Sequence, residues 1–214
     1  TSSAALVTVT ALFGADGEAL ADATAYALTV TNSGSGLTTT DGAAIELQLL
    51  PSGVVVGVVD PLSTSSFAGQ AAFAISIDPD TGFVTVEQYL SLDHPTEHDG
   101  LGGSSYDETL ALAAESLAVT VTITDGDGDK AIKSADVSGQ ISFDDDGPTL
   151  TVEADTEVTA ALDETATTST AATIDTGAIV KGDDPDVDGT GRIAFATSSA
   201  ALVTVTALFG ADGE

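Results

Sequence analysis

Apolar and polar positions alternate along this chain with a period of two, over short runs rich in β-branched residues. Such runs occupy residues 5–13 (ALVTVTALF), 25–31 (AYALTVT), 44–50 (AIELQLL), 54–59 (VVVGVV), 71–77 (AAFAISI) and 83–90 (FVTVEQYL). Others lie at 117–124 (LAVTVTIT), 137–143 (VSGQISF), 149–153 (TLTVE), 192–196 (RIAFA) and 201–209 (ALVTVTALF). This alternation gives a strand one inward and one outward face. Glycine, aspartate and proline punctuate the gaps at 14–17 (GADG), 41–42 (DG), 51–53 (PSG), 78–82 (DPDTG) and 125–129 (DGDGD). Those are the residues that turns select. Many short strands separated by such turns predict an all-β sandwich. One segment, 107–116 (DETLALAAES), reads differently: acids in a first turn followed by good helix formers predict a single short crossover helix.

The runs at 5–13 and 201–209 are the same sequence. Residues 1–18 (TSSAALVTVTALFGADGE) recur without a change as residues 197–214, an offset of 196 residues. Divergent duplication would have left differences, so the sequence reads as a slice of a tandem array. A period of this length exceeds any solenoid repeat, and each unit is a whole domain or two. Chains of identical domains serve as spacers or multivalent surfaces rather than as enzymes.

The run Phe143-Asp144-Asp145-Asp146-Gly147-Pro148 closes one strand and precedes another, which places a boundary there. Residues 1–147 are expected to form one β-sandwich repeat unit, and 148–214 to start the next. That second part either needs the remainder of its repeat to bury a core or packs against the first unit. The ends of the sequence are not expected to be domain ends. Residues 154–190 are rich in Ala, Thr and Asp, and read as a loop-rich domain opening or as a linker.

Charge narrows the function classes. Against 34 Asp and Glu stand 4 Lys and Arg, for a net charge of −30. Nucleic acid is excluded as a partner, because phosphate binding needs a basic footprint. Direct contact with an anionic membrane surface is excluded by the same argument. No stretch approaches the roughly 18 consecutive apolar residues of a membrane-spanning helix. A disordered acidic tail is disfavoured by the 43% hydrophobic content, which leaves apolar surface to bury. With no cysteine, disulfides and thiolate metal sites are absent. A folded protein of this charge must spread its carboxylates or bind cations.

Three acidic motifs are candidates for cation binding. Asp125-Gly126-Asp127-Gly128-Asp129 places alternate carboxylates in a turn, where they converge on a hard cation such as Ca2+. The spacing is EF-hand-like with Asp136 as twelfth residue, but Lys130 stands where that loop needs glycine and strands replace the helices. Asp144, Asp145 and Asp146 are adjacent and repel one another unless a cation lies between them. At the boundary, such an ion would set the angle between domains. Asp183, Asp184, Asp186 and Asp188 repeat the alternate spacing, and Asp163 and Glu164 precede them in a loop. Asp78 and Asp80 read as a plain turn.

Catalytic motifs are weak. His94-Pro95-Thr96-Glu97-His98 matches the H-x-x-E-H zinc-hydrolase pattern, but its flanking Pro and Gly residues make it loop-like, and the chain has no third histidine. No nucleophile elbow or phosphate-cradling glycine loop appears, and the chain is read as a non-enzyme.

The combination VTVTITDGDGDKA at 119–131 and ISFDDDGPTL at 141–150, with AFAISIDPDTGFVTVEQYLSLDHP at 72–95, resembles the tandem extender domains of giant bacterial adhesins. These are RTX-type proteins exported by type I secretion, of the Lap/Bap biofilm kind. The likeness covers most of 1–150, and Leu162-Asp163-Glu164 fits the opening of a following unit. The resemblance implies an Ig-like or cadherin-like β-sandwich repeat, stiffened by calcium, in an extracellular filament on the bacterial cell surface. It implies Asp125, Asp127, Asp129, Asp144, Asp145 and Asp146 as ligands. Its partners would be neighbouring identical repeats in the same chain and other copies in a filament. Two alternatives stand beside it: a self-assembling filament or S-layer-like subunit, and a sugar- or peptide-binding β-sandwich module.

Overall fold

The computed structural model describes residues 1–96, 108–162, 174–179 and 196–211. The chain divides into two compact units, Thr1–Gly147 with Phe209–Glu214, and Pro148–Leu208.

The first unit is an all-β sandwich. Strands β2 (Gly34–Thr38), β3 (Ala44–Leu49), β4 (Val55–Val59), β5 (Ala71–Ile77) and β6 (Val84–Gln88) form an antiparallel five-stranded meander in chain order. A second sheet has the order β1-β8-β9, from Thr24–Val30, Leu117–Thr124 and Lys130–Asp136. Its register runs from Thr24 opposite Ile123 to Val30 opposite Leu117. A short antiparallel pair, β7 (Thr109–Ala111) with β10 (Ser142–Asp144), completes the unit.

One apolar cluster joins these sheets. Leu28 and Val119 from the second sheet meet Ile45, Val55, Phe73 and Ile75 from the first, with Leu112, Ile141 and Phe143 beside them. Phe73 and Phe143 are tilted rings with centroids 4.9 Å apart, a favourable aromatic arrangement. Phe73 lies opposite Gly57 across the β4–β5 ladder, and a Cβ at Gly57 would run into its ring. Burial alternates along β3 and β4, as period-two patterning requires.

The predicted helix at 107–116 is not formed. Thr109–Ala111 pairs with Ser142–Asp144 instead, and burial alternates from Glu108 to Leu112 with strand periodicity. The chain then turns at Glu115, whose φ is 62°, and enters β8. Burying Leu110 and Leu112 against the core outweighs the helix propensity of LALAA. The run 137–143 splits into a 3-10 turn, Ser138–Gln140, and β10. No α-helix occurs among the described residues, and so none is long and apolar enough to cross a membrane.

Two strands escape the alternation argument. β2 is glycine-rich, and its inward residues include Ser35, whose hydroxyl donates to the Ile45 carbonyl. β9 is exposed throughout, an edge strand carrying Lys130 and Lys133. Lysine on an edge deters pairing with other chains.

In the second unit, β11 (Thr149–Ala154) and β12 (Val203–Leu208) form an antiparallel ribbon in which every residue is exposed. Residues 192–195 of the predicted strand at 192–196 lie outside the described residues.

Candidate metal centre

Two loops build the strongest acidic site. The 125–129 turn connects β8 to β9, and Gly14-Ala15-Asp16-Gly17-Glu18 leads toward β1. An isolated bridge pairs Glu18 with Asp125. The Gly126 nitrogen donates to the Gly17 carbonyl at 3.0 Å, and the Ala19 nitrogen to the Thr124 carbonyl at 3.1 Å. These backbone bonds bring Asp16 against the DGDGD turn.

Asp16, Asp125 and Asp127 each offer a carboxylate oxygen, and these oxygens lie within 4.8 Å of one another. Calcium takes oxygen ligands at about 2.3–2.6 Å, so two ligands on opposite sides of one ion are about 4.8 Å apart. The dimension fits a hard cation. Three carboxylates supply up to six of the roughly 6–8 oxygens required, and water fills the rest.

Asp125 organises the turn. Its Oδ1 accepts hydrogen bonds from the nitrogens of Gly128 (3.1 Å) and Asp129 (2.8 Å). A hydrogen bond with the Asp127 carboxyl, followed by these backbone N–H groups, holds the Asp125 carboxyl below its ordinary range.

The other expected ligands fare differently. Asp129 engages through its backbone: its nitrogen meets Asp125 Oδ1, and its carbonyl accepts from the Asp125 nitrogen at 3.0 Å. Asp144, Asp145 and Asp146 are each engaged separately. Asp144 Oδ1 accepts from the Thr109 hydroxyl at 2.7 Å, and Asp145 Oδ1 lies 3.4 Å from His94 Nδ1. Asp146 Oδ1 accepts from the Ala211 nitrogen at 3.3 Å. Among the described residues, Asp16, Asp125 and Asp127 are the only three such side chains that come together at metal-ligand distances. Asp163, Glu164, Asp183, Asp184, Asp186 and Asp188 lie outside the described residues, as do Glu97 and His98 of the H-x-x-E-H match. His94 is nearly enclosed, with Nδ1 3.2 Å from the Leu92 carbonyl.

Sequence reasoning missed Asp16. Its signal was the GADG turn, which reads as plain punctuation until the fold sets it against Gly126. There a Cβ would run into the Asp16 carbonyl oxygen, so the close approach of the two loops requires glycine.

Fold and site together define an all-β sandwich with a two-loop carboxylate cluster at one end of its three-stranded sheet. The chain belongs to the family described as "Domain of unknown function (DUF5801)", whose model matches residues 1–138. No curated protein and no solved structure matches it.

Proposed function

We propose that this chain is a calcium-stiffened structural extender repeat of an extracellular bacterial adhesin or surface filament. Its role is mechanical rather than catalytic: it projects a binding tip and supports cell adhesion and biofilm formation. The observation that carries this reading is the convergence of Asp16, Asp125 and Asp127 from two loops. Asp16 belongs to the eighteen-residue segment that recurs after 196 residues, so an array would present such a cluster in every period.

The mechanism follows from charge. Without a cation, carboxylates this close repel one another and push the two loops apart. In a cytosol poor in calcium the domain is loosened, which suits passage through a secretion channel. Outside the cell, millimolar calcium saturates even sites with dissociation constants of about 10⁻⁴–10⁻³ M. Binding to the folded form alone stabilises it by about 2.7 kcal/mol at one hundred times the dissociation constant. Loops clamped in every period turn a flexible string of neighbouring repeats into a stiffer one.

Calorimetric melting during a calcium titration tests the reading, with magnesium and EDTA as references. Melting is expected to rise by several degrees as calcium saturates the site. Small-angle scattering of a two-period chain is expected to show a longer maximum dimension in calcium than in EDTA. Melting and dimension that both ignore calcium would overturn the proposal.

A further inference from the structure

The Gly-Ala-Asp-Gly turn of the repeated segment makes two sets of contacts. At 14–17 the Gly17 carbonyl accepts from the Gly126 nitrogen at 3.0 Å, and Asp16 offers its carboxylate beside Asp125 and Asp127. The second occurrence starts at Gly210, and Phe209–Glu214 belongs to the first compact unit. There the Ala211 carbonyl accepts from the Ser91 hydroxyl at 2.8 Å, and the Ala211 nitrogen donates to Asp146 Oδ1 at 3.3 Å. Gly210 comes so close that a Cβ would lie 2.8 Å from Asp146 Oδ1. Ala211 lines a groove of about 440 Å3 with Gln88, Tyr89, Ser91, His94 and Asp146.

These contacts fall on different atoms of the turn. Docking on Ser91 and Asp146 uses the N–H and C=O of its second residue, the alanine. The carboxylate cluster and its backbone clamp use the side chain of the third residue and the carbonyl of the fourth. The first residue has the same backbone conformation in both places, with φ of 72° at Gly14 and at Gly210. One turn can therefore hold both sets of partners at once. The sequence supplies the occasion, because Asp212 and Gly213 stand where Asp16 and Gly17 do, 196 residues on. In an array, the turn that docks on one sandwich opens the next.

We propose that this turn is the joint between consecutive repeats, and that its partner is the Ser91 and Asp146 face of the preceding sandwich in the same chain. The inference rests on the reading of the chain as a calcium-binding array, and adds which surfaces meet. Docking fixes the backbone that carries the aspartate, so the cation has less ordering left to impose. By linkage, calcium bound in one repeat holds its turn more firmly on the repeat before. Stiffness then needs no ion between the sandwiches. Two hydrogen bonds on one side of the turn and the carboxylate cluster on the other transmit it, with Asp146 acting as acceptor of a backbone N–H.

The test is calcium titration calorimetry on a chain of two periods. Asp125→Asn in the first period silences that cluster, so the heat reports the cluster of the second. Ser91→Ala in the first period then removes one of the two bonds that seat the second-period turn. The expected result is calcium binding about fivefold weaker, the loss that one hydrogen bond accounts for. Ser52→Ala in the same period, in the exposed turn between β3 and β4, is expected to leave the affinity unchanged. The 214-residue chain made alone has no sandwich ahead of its Asp16, and should bind calcium at least about fivefold more weakly than the second-period cluster. A second-period affinity that ignores Ser91→Ala, or that equals the affinity of the 214-residue chain, would overturn the joint alone. Absence of calcium binding in every chain would overturn the calcium reading and the joint together.

Discussion

The nitrogen of Gly126 donates to the carbonyl of Gly17 at 3.0 Å, while the Cα of Gly126 faces the carbonyl of Asp16 with no room for a side chain. One backbone contact thus holds the acidic turn of the second sheet against a loop from the repeated segment. Gly126→Ala must push the loops apart. We expect it to weaken calcium binding and to cost about 1–3 kcal/mol of stability, as read by titration calorimetry and denaturant unfolding. An affinity equal to that of the unaltered chain would show that the loops do not act together.

Ligand substitution separates the acids by role. Asp16→Asn is expected to weaken calcium binding by roughly tenfold or more, because it removes a charged ligand from a three-carboxylate set. Asp129→Asn should cost less, since Asp129 engages the turn through its backbone. Titration of the two variants side by side decides it, and a larger loss for Asp129→Asn would reverse the assignment.

The sandwich core offers a test that does not involve the proposed calcium. Gly57 leaves space for the Phe73 ring, which in turn meets Phe143. Gly57→Ala is expected to destabilise the first unit by about 1–3 kcal/mol through overpacking. Phe73→Ala should cost about 3–5 kcal/mol by opening a cavity. Urea unfolding at fixed calcium measures both.

Acid should weaken the first unit through Asp136. Its Oδ1 accepts from the Ser138 hydroxyl at 2.6 Å and from the Ser138 nitrogen at 3.2 Å. These bonds, the hydroxyl first, hold its carboxyl below the ordinary value of 3.8. A carboxyl depressed on folding contributes stability above its unfolded value and loses it as pH falls through the folded one. The loss therefore belongs below about pH 4. Asp41 and Asp78 are depressed in the same way, by the Thr39 hydroxyl and by the Thr81 backbone N–H respectively. Asp136→Asn should flatten part of the acid limb of an unfolding-versus-pH curve run in EDTA. Ser138→Ala should cost about 1–3 kcal/mol at neutral pH, because the buried Ser138 hydroxyl also receives the nitrogens of Ser116 and Leu117.

How much of this was legible in the sequence depends on how locally each feature is encoded. The ladders from Ala44 to Gln88 follow from alternation and from turns such as Pro51-Ser52-Gly53. Residues 109–111 were misread because propensity is local, whereas the pairing with Ser142–Asp144 joins positions over thirty residues apart. β9 carries no inward apolar face, so its pairing with β8 leaves no hydrophobic signature. The Asp125–Asp129 motif pointed to converging carboxylates, yet the third carboxylate of the cluster comes from Asp16, more than one hundred residues upstream. The bridge from Glu18 to Asp125, with the backbone bonds of Gly126 and Ala19 beside it, makes that neighbourhood.

The ladder between Thr149–Ala154 and Val203–Leu208 also separates two kinds of phase. A repeating sequence has no privileged origin, and its period of 196 residues can be counted from any residue. The fold is not so indifferent. Any cut between 154 and 203 leaves one strand of the ladder on each side, so a fragment framed by sequence similarity alone carries half a joint at one of its ends. Gly147 and Pro148, which fall between the two compact units, are where a cut would leave that ladder whole.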